Sequence, residues 1–462
     1  MRPPHSLWWD GLSHPLIARA SLTTHLDVDV AIVGGGFTGL WTARELKRRD
    51  SALRIAVLEQ SVCGFGASGR NGGWASSFYP LSDESIVARH GIDQFRHLRG
   101  VLERGVREFG EALRVDAIDA DFVQGGTLDF ARSTVQVQRL HQHIDTAREL
   151  GYSVDDLRWL DQDEANEHAR VSGSLGATYS PHCARVHPAR LVRGLAEVNE
   201  QLGVHIFENS KVTKILAGST RSEPQVVTAE GSVHARFVVR ATEGFTPELP
   251  RERRSVAPLY SLMIATEPQS DDFWAEAGLS QHETFNDARH LIIYGQRTSD
   301  NRIAFGGRGA SYHFGSTVEP RYDQNSKVFT SLEATLRQLF PALQGSITHR
   351  WGGPLAMARD QSPSVIVDYE SGLASAGGYT GDGVVMTRIA ANALADLMVA
   401  PDVETEFTTL PFVQHHSPRW EFEPLRWLGI NAGLAAAIAA DRAENKGIVN
   451  SRGARLLGRL TN

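Results

Sequence analysis

Apolar and polar positions change period along the chain, and the changes mark its elements. VDVAIVGGG (28–36) is an apolar run closing on glycine, LWTARELKRR follows with a helical pattern, and RIAVLEQ returns to a buried strand. Strand-like runs recur later in VHIFENSKVTKIL, HARFVVRAT and GLASAGGYTG. The last leads into VVMTRIAANALADLMVA, where Val385, Ile389, Ala393 and Leu397 share one helix face. Strands alternating with helices predict an α/β chain.

Two stretches differ in character. Residues 80–180 read as helix-rich, with acidic and Arg-rich faces, while 250–345 carry extended segments (YSLMIATEP, HLIIYGQR, RIAFGGRG) that predict a mostly antiparallel sheet. The expected division is an N-terminal extension 1–26 and a discontinuous nucleotide-binding domain, 27–80, 181–250 and 350–405. A substrate domain of α+β character takes 81–180 and 251–349, and a helical tail 406–462.

At 462 residues the chain is too long for a single core. A net charge of −7 without basic clusters argues against a nucleic-acid surface. Cys63 and Cys183 make no disulfide framework and lie at no metal spacing, so a reducing, cytoplasmic setting and no metal are expected. The N-terminal stretch lacks the apolar core of a signal peptide, and no run approaches the ~18 apolar residues of a membrane span. LRWLGINAGLAAAIAADRAENKG is interrupted by Gly429, Asn431 and Gly433 and predicts a helix docked on the body, with no membrane partner. Oligomeric state is left open.

The chemistry starts at Gly34, Gly36 and Gly39 in GGGFTG, between a strand and a helix. The first glycine permits the tight turn, the second lets a phosphate approach the backbone, and the third packs helix on strand. A pyrophosphate would then meet the free amides around Phe37 and Thr38. Glu59, followed by Gln60, closes the second strand about 20 residues on, where a carboxylate bonds both ribose hydroxyls and repels a 2′-phosphate. FAD is favoured over NAD by the loop SVCGFGASGRNGGW. Gly66, Ala67, Ser68, Arg70, Asn71, Gly72, Gly73 and Trp74 there suit backbone pressed on a flat ring system, the alternative being a plain surface loop.

DVAIVGGGFTGLWTA, GASGRNGG, VHPARLVRGLA, ATEGFTPEL, FGGRG, WGGPLAMARDQSP and AGGYTGDGV together resemble the FAD-dependent amine and amino-acid oxidoreductases. That family includes glycine oxidase, D-amino-acid oxidase and monomeric sarcosine oxidase, and within it the chain looks most like γ-glutamylputrescine oxidase-like enzymes. The likeness spans about residues 28–400. It implies a glutathione-reductase-type FAD-binding domain and extends the cofactor set to Val212, Ala241, Thr242, Gly244 and Gly353. In the late turn it adds Gly378, Tyr379, Gly381, Gly383 and Val384, with the following helix aimed at the flavin.

Departures from the family pattern carry their own expectations. WGGPLAMARDQSPSV has no attachment cysteine, so FAD should be non-covalent. Residues 250–310 have no lysine, which weakens oxygen as acceptor. Asp382 stands where many relatives carry histidine and is expected to cap the helix it precedes. For the substrate, Tyr260, Tyr294, His290 and Trp351 are candidates for an aromatic pocket, and Arg297 or Arg308 for an anionic group. For each the commoner role is structural, Tyr and Trp as core or sheet-face residues and Arg as a solvated charge. His187 either faces the flavin or begins the helix after Pro188. The expected activity is hydride transfer from a primary or secondary amine, or an N-substituted amino acid, to FAD. The resulting imine hydrolyses, and oxygen is reduced to hydrogen peroxide. The alternatives are a dehydrogenase serving a quinone or protein carrier, and a non-catalytic flavoprotein subunit.

Overall fold

Val30, Ala31, Ile32 and Val33 are all buried because the strand His25–Val33 runs through the middle of a parallel sheet. The computed structural model describes residues 6–448 and 451–455. Ile55–Leu58 and then His205–Phe207 lie on one side of this strand, and Ser232–Arg240 and then Leu373–Gly377 on the other, all parallel; Ser364–Asp368 adds an antiparallel edge. The helices Phe37–Arg49, Pro188–Gln201 and Gly383–Val399 cover the sheet and share one core with it. Each parallel return needs a crossover, which is why the sheet is assembled from distant segments.

A second sheet of eight strands runs in the order Ile347–Met357, Ala257–Thr266, Ile303–Arg308, Ile293–Arg297, Thr284–Asp287, Thr127–Phe130, Ala177–Ser180 and Arg158–Leu160. It is antiparallel apart from the pairing of Thr284–Asp287 with Thr127–Phe130. Side chains alternate across it. Tyr260, Leu262, Ile264 and Phe305 face a core closed by the helix Ser326–Leu339. Met263, Ala265, Ala304 and Trp351 face the nucleotide-binding half and pack with Trp8 and Trp9.

Two elements sit elsewhere than the sequence division suggests. The strand Ile347–Met357 runs across position 350 and belongs to the second sheet. The helix Ile92–Val115 buries Phe95, Leu98, Leu102 and Phe109 in the core of the parallel sheet, where Gly105 lies against Val385 and Ile389. Residues 158–160 and 177–180, within the stretch read as helix-rich, are strands.

Both ends of the described chain dock on the body. In the helix Leu7–Asp10 the Trp8 indole donates to the Asn71 carbonyl at 2.8 Å. In Leu425–Glu444 the Asp441 carboxylate accepts the His290 and Leu291 amides, and Glu444 pairs with Arg139. Among the described residues no helix is long and apolar enough to cross a membrane.

Candidate active site

The parallel sheet ends in a cavity of ≈ 300 Å³. Its floor is the turn after His25–Val33. Gly34 has φ +114°, and a Cβ there would lie 2.3 Å from the Ala241 carbonyl oxygen; a Cβ on Gly39 would lie 2.0 Å from the Gly34 oxygen. Only glycines allow this contact of strand, turn and helix. Gly39 thus packs the helix and stays out of the cavity, while Gly34, Gly36, Phe37 and Thr38 line it. The N-cap Gly36 offers no side chain, and the Ser68 hydroxyl accepts the Phe37 amide at 2.8 Å. Thr38, next in the first turn, also lines the cavity, with the positive end of the helix dipole behind it.

Glu59 and Gln60 close one end. The Glu59 carboxylate accepts Gly35 N–H at 2.8 Å and Ser61 N–H at 3.0 Å. Burial nevertheless pushes its carboxyl up to about 7, against those amides and with Glu208 adding to the rise. Val212 lies beside it; Ala241, Thr242 and Gly244 form the wall after Ser232–Arg240.

From the glycine loop Gly66, Ala67, Ser68 and Asn71 reach the cavity, and from the late turn Tyr379, Gly381, Gly383 and Val384. Six other residues expected at the cofactor are not among those lining this cavity and make contacts beside it. The Arg70 guanidinium crosses to the second sheet, donating to Asp323 at 2.7 Å and to the Gly352 carbonyl at 3.0 Å, and Gly353 lies under it. The carbonyls of Gly72 and Gly73 accept the Gln296 amide at 2.6 and 3.2 Å, and the Trp74 ring meets Tyr294 edge-on, centroids 6.2 Å apart. Gly378 gives its N–H to Glu243 at 3.1 Å.

Glu243 itself escaped the sequence reading, although it stands between Thr242 and Gly244 in ATEGFTP. It lines the cavity with φ +39°, and burial pushes its carboxyl up to about 7 against backbone amides. Lys211, Phe245, Pro354 and Leu355 also line the cavity. Their residue types carry no signal of their own; only the fold brings them there.

Strand register sorts the substrate candidates. Ser261 pairs with Arg308 and with Gly353, and Tyr294 with Gly306, so Ser261, Arg308 and Tyr294 share the face toward the cofactor loop. The Tyr294 hydroxyl lies 2.7 Å from Ser261 Oγ, its ring against Gly72. Arg308 donates to the Thr380 carbonyl in the late turn. Tyr260 and Arg297 fall on the opposite face: Tyr260 is in the core, and Arg297 stacks on Trp274 at 4.3 Å. Trp351 is fully buried and spends its indole N–H on the Arg70 carbonyl at 2.9 Å. His187 caps the helix Pro188–Gln201 by accepting the Arg190 amide, and burial lowers its pKa to about 4. His290 is engaged by Glu444 at 2.6 Å in the tail contact. Asp382 takes the N-cap position of Gly383–Val399 but its side chain accepts no helix amide, so the expected cap is not made.

The acid at one end, the glycine turn in the middle and two helix N-termini along the wall fit a dinucleotide. Backbone that tolerates no Cβ shapes the cradle. The model of a family described as FAD dependent oxidoreductase (DAO) matches residues 29–397. The chain belongs to this family. It is an FAD-dependent oxidoreductase, and its Glu59, Gly36–Thr38 and Gly381–Val384 would hold the adenosine, pyrophosphate and flavin parts in that order. It is 30% identical over 385 residues to γ-glutamylputrescine oxidoreductase of Escherichia coli (strain K12), covering 82% of this chain and 85% of that one. Its fold matches the crystal structure of glycine oxidase from Geobacillus kaustophilus with a TM-score of 0.70 at 23% identity, over 84% of this chain and 99% of that one. L-proline dehydrogenase from P. horikoshii aligns with a TM-score of 0.65 at 18% identity, over 84% and 96%.

Proposed function

We propose that the chain oxidises a primary or secondary amine, or an N-substituted amino acid, with non-covalent FAD and with oxygen as acceptor. The observation that carries this is the sheet face holding Ser261, Tyr294 and Arg308, laid directly against the glycine loop and the late turn that wall the cavity. The FAD supplies a two-electron hydride acceptor. The chain's part is to bind, orient and exclude water. The Trp74 and Tyr294 rings meet beside Gly72, and an amine held against them would be favoured in its uncharged form. The Tyr294 phenol, pushed above its usual range by burial and engaged by Ser261, stays a neutral hydrogen-bonding group. Hydrolysis of the released imine gives a carbonyl compound and an amine. The similar γ-glutamylputrescine oxidoreductase, by its name, acts on an amine, which supports this substrate class. Both cysteines are buried and unpaired, which suits the cytoplasm as the proposed compartment.

The test is anaerobic mixing of purified protein with amines and amino acids, then admission of air. Bleaching by an amine, followed by rapid return of colour with hydrogen peroxide, is expected. Bleaching with colour restored only by a quinone would replace oxygen with a carrier. No bleaching by any amine would overturn the reading.

A further inference from the structure

A second cavity, of ≈ 150 Å³, opens beside the late turn, and Glu243 lines both it and the cofactor cavity. Strand register builds its wall. Arg240 pairs with Ser375 and Ser375 with Ile366, while Ser364 pairs with Gly377 two positions along. Arg240, Ser375, Ile366 and Ser364 therefore share one face of the sheet, and all four line the cavity. The alternate positions Val239, Ala374, Ala376 and Val365 lie in the core on the other face.

Arg240 sets the chemistry of this cavity. Among the described residues its guanidinium makes one hydrogen bond, from Nη1 to the Thr246 hydroxyl at 3.2 Å, and no ion pair. An arginine carries five N–H donors on a fixed fork, so most of this one's capacity is unused. Burial draws its pKa below the usual range, against the pull of Glu252 and Glu243. Both of those carboxylates have other partners: Glu252 accepts the Ser255 hydroxyl, and Glu243 accepts Gly378 N–H at 3.1 Å. The Ser364 and Ser375 hydroxyls have no hydrogen-bond partner among the described residues. The exposed Arg419 and His416 line the same cavity.

A desolvated guanidinium without a counter-charge, next to two uncommitted hydroxyls, suits an oxyanion held by charge-assisted hydrogen bonds. Glu243 and Glu252 offset part of the positive charge, which favours a monoanion over phosphate. Ile366, Val256 and Ala358 complete the lining with apolar surface, where a short hydrocarbon tail sheds its water. With half the volume of the cofactor cavity, the space limits the ligand to a few heavy atoms.

We propose that this second cavity is a binding site for a small aliphatic monocarboxylate, its head on Arg240 and Ser375 and its tail on Ile366 and Val256. Glu243, common to both linings, stands between this site and the cofactor. The site is separate from the face carrying Ser261, Tyr294 and Arg308, and it does not rest on the amine reading.

The experiment titrates FAD-loaded protein calorimetrically with sodium propionate, with propionamide as an uncharged probe of the same shape, and with inorganic phosphate. Propionate is expected to bind one to one, roughly tenfold or more tighter than either of the others. Arg240→Met should weaken propionate binding roughly tenfold or more. Ser375→Leu, which fills the cavity and leaves the guanidinium in place, should abolish it. Arg308→Met, on the second sheet, should leave it unchanged. Propionate bound as well by Arg240→Met or by Ser375→Leu would overturn the proposal. So would its loss in Arg308→Met, which would place the carboxylate at the substrate face, and so would propionamide or phosphate bound as tightly as propionate. If Arg240→Met loses FAD, Ser375→Leu decides; if both lose it, Arg240 is a structural cation and the proposal falls.

Discussion

The Arg70 guanidinium and the Asp323 carboxylate meet at 2.7 Å, with Arg70 only 5% exposed, so an ion pair ties the glycine loop to the short helix Pro320–Asp323 beside the second sheet. Burial raises the Asp323 carboxyl and Arg70 pulls it back. Asp323→Ala leaves a buried guanidinium without its counter-charge and is expected to cost about 3 kcal/mol of stability. Arg70→Met combined with Asp323→Asn should cost less than the sum of the two single changes. Urea unfolding of the four proteins, FAD-loaded, checks this; additive losses would show that the two side chains do not act as a pair.

Glu59 predicts a pH-dependent cofactor affinity. Its carboxyl, raised by burial to about 7, holds a proton that the unfolded chain releases near the ordinary 4.5. Its stabilising contribution is therefore present below 4.5 and lost as pH rises through about 7. Ribose hydroxyls donate to the ionised form, so FAD should bind more tightly as pH rises through about 7. Glu59→Gln should bind FAD more weakly and lose most of that slope. Calorimetric titration of the apoprotein with FAD decides; a slope unchanged in Glu59→Gln contradicts the assignment.

The two tyrosines on opposite faces of the second sheet predict opposite outcomes. Tyr294→Phe removes the bond to Ser261 beside the cofactor loop and should slow flavin reduction roughly tenfold, by the order of one hydrogen bond. Tyr260→Phe, in the far core, should leave the reduction rate unchanged. Anaerobic stopped-flow rates of both variants are the check, and equal effects would refute the sorting by face.

The sequence made the cofactor half of this site legible because its chemistry is local. A strand, GGGFTG, a helix and Glu59 fall within one βαβ unit, where spacing alone fixes geometry. Substrate-side roles depend on partners far along the chain. Tyr260 and Tyr294 both read as aromatic residues in extended segments, and only the strand pairing shows that Tyr294 lies on the face toward the glycine loop. Arg70 sits in a loop whose glycines speak of a cofactor, yet its carboxylate partner is 253 residues away. Glu243 was hidden for the same reason, since its bond to Gly378 spans 135 residues. Asp382 holds a position from which aspartate commonly caps a helix, and position alone does not show that its side chain accepts no helix amide. The helix Ile92–Val115 announces an apolar face by its period, but not the core that receives it.

The most direct measurement of the central claim is an anaerobic single turnover in which bleached flavin and released carbonyl compound are both counted, after which the protein is acid-precipitated. One carbonyl per flavin reduced, with FAD left in the supernatant, is the expected result. Bleaching without carbonyl, or colour that stays in the pellet, would contradict amine oxidation by a non-covalent FAD in this cavity.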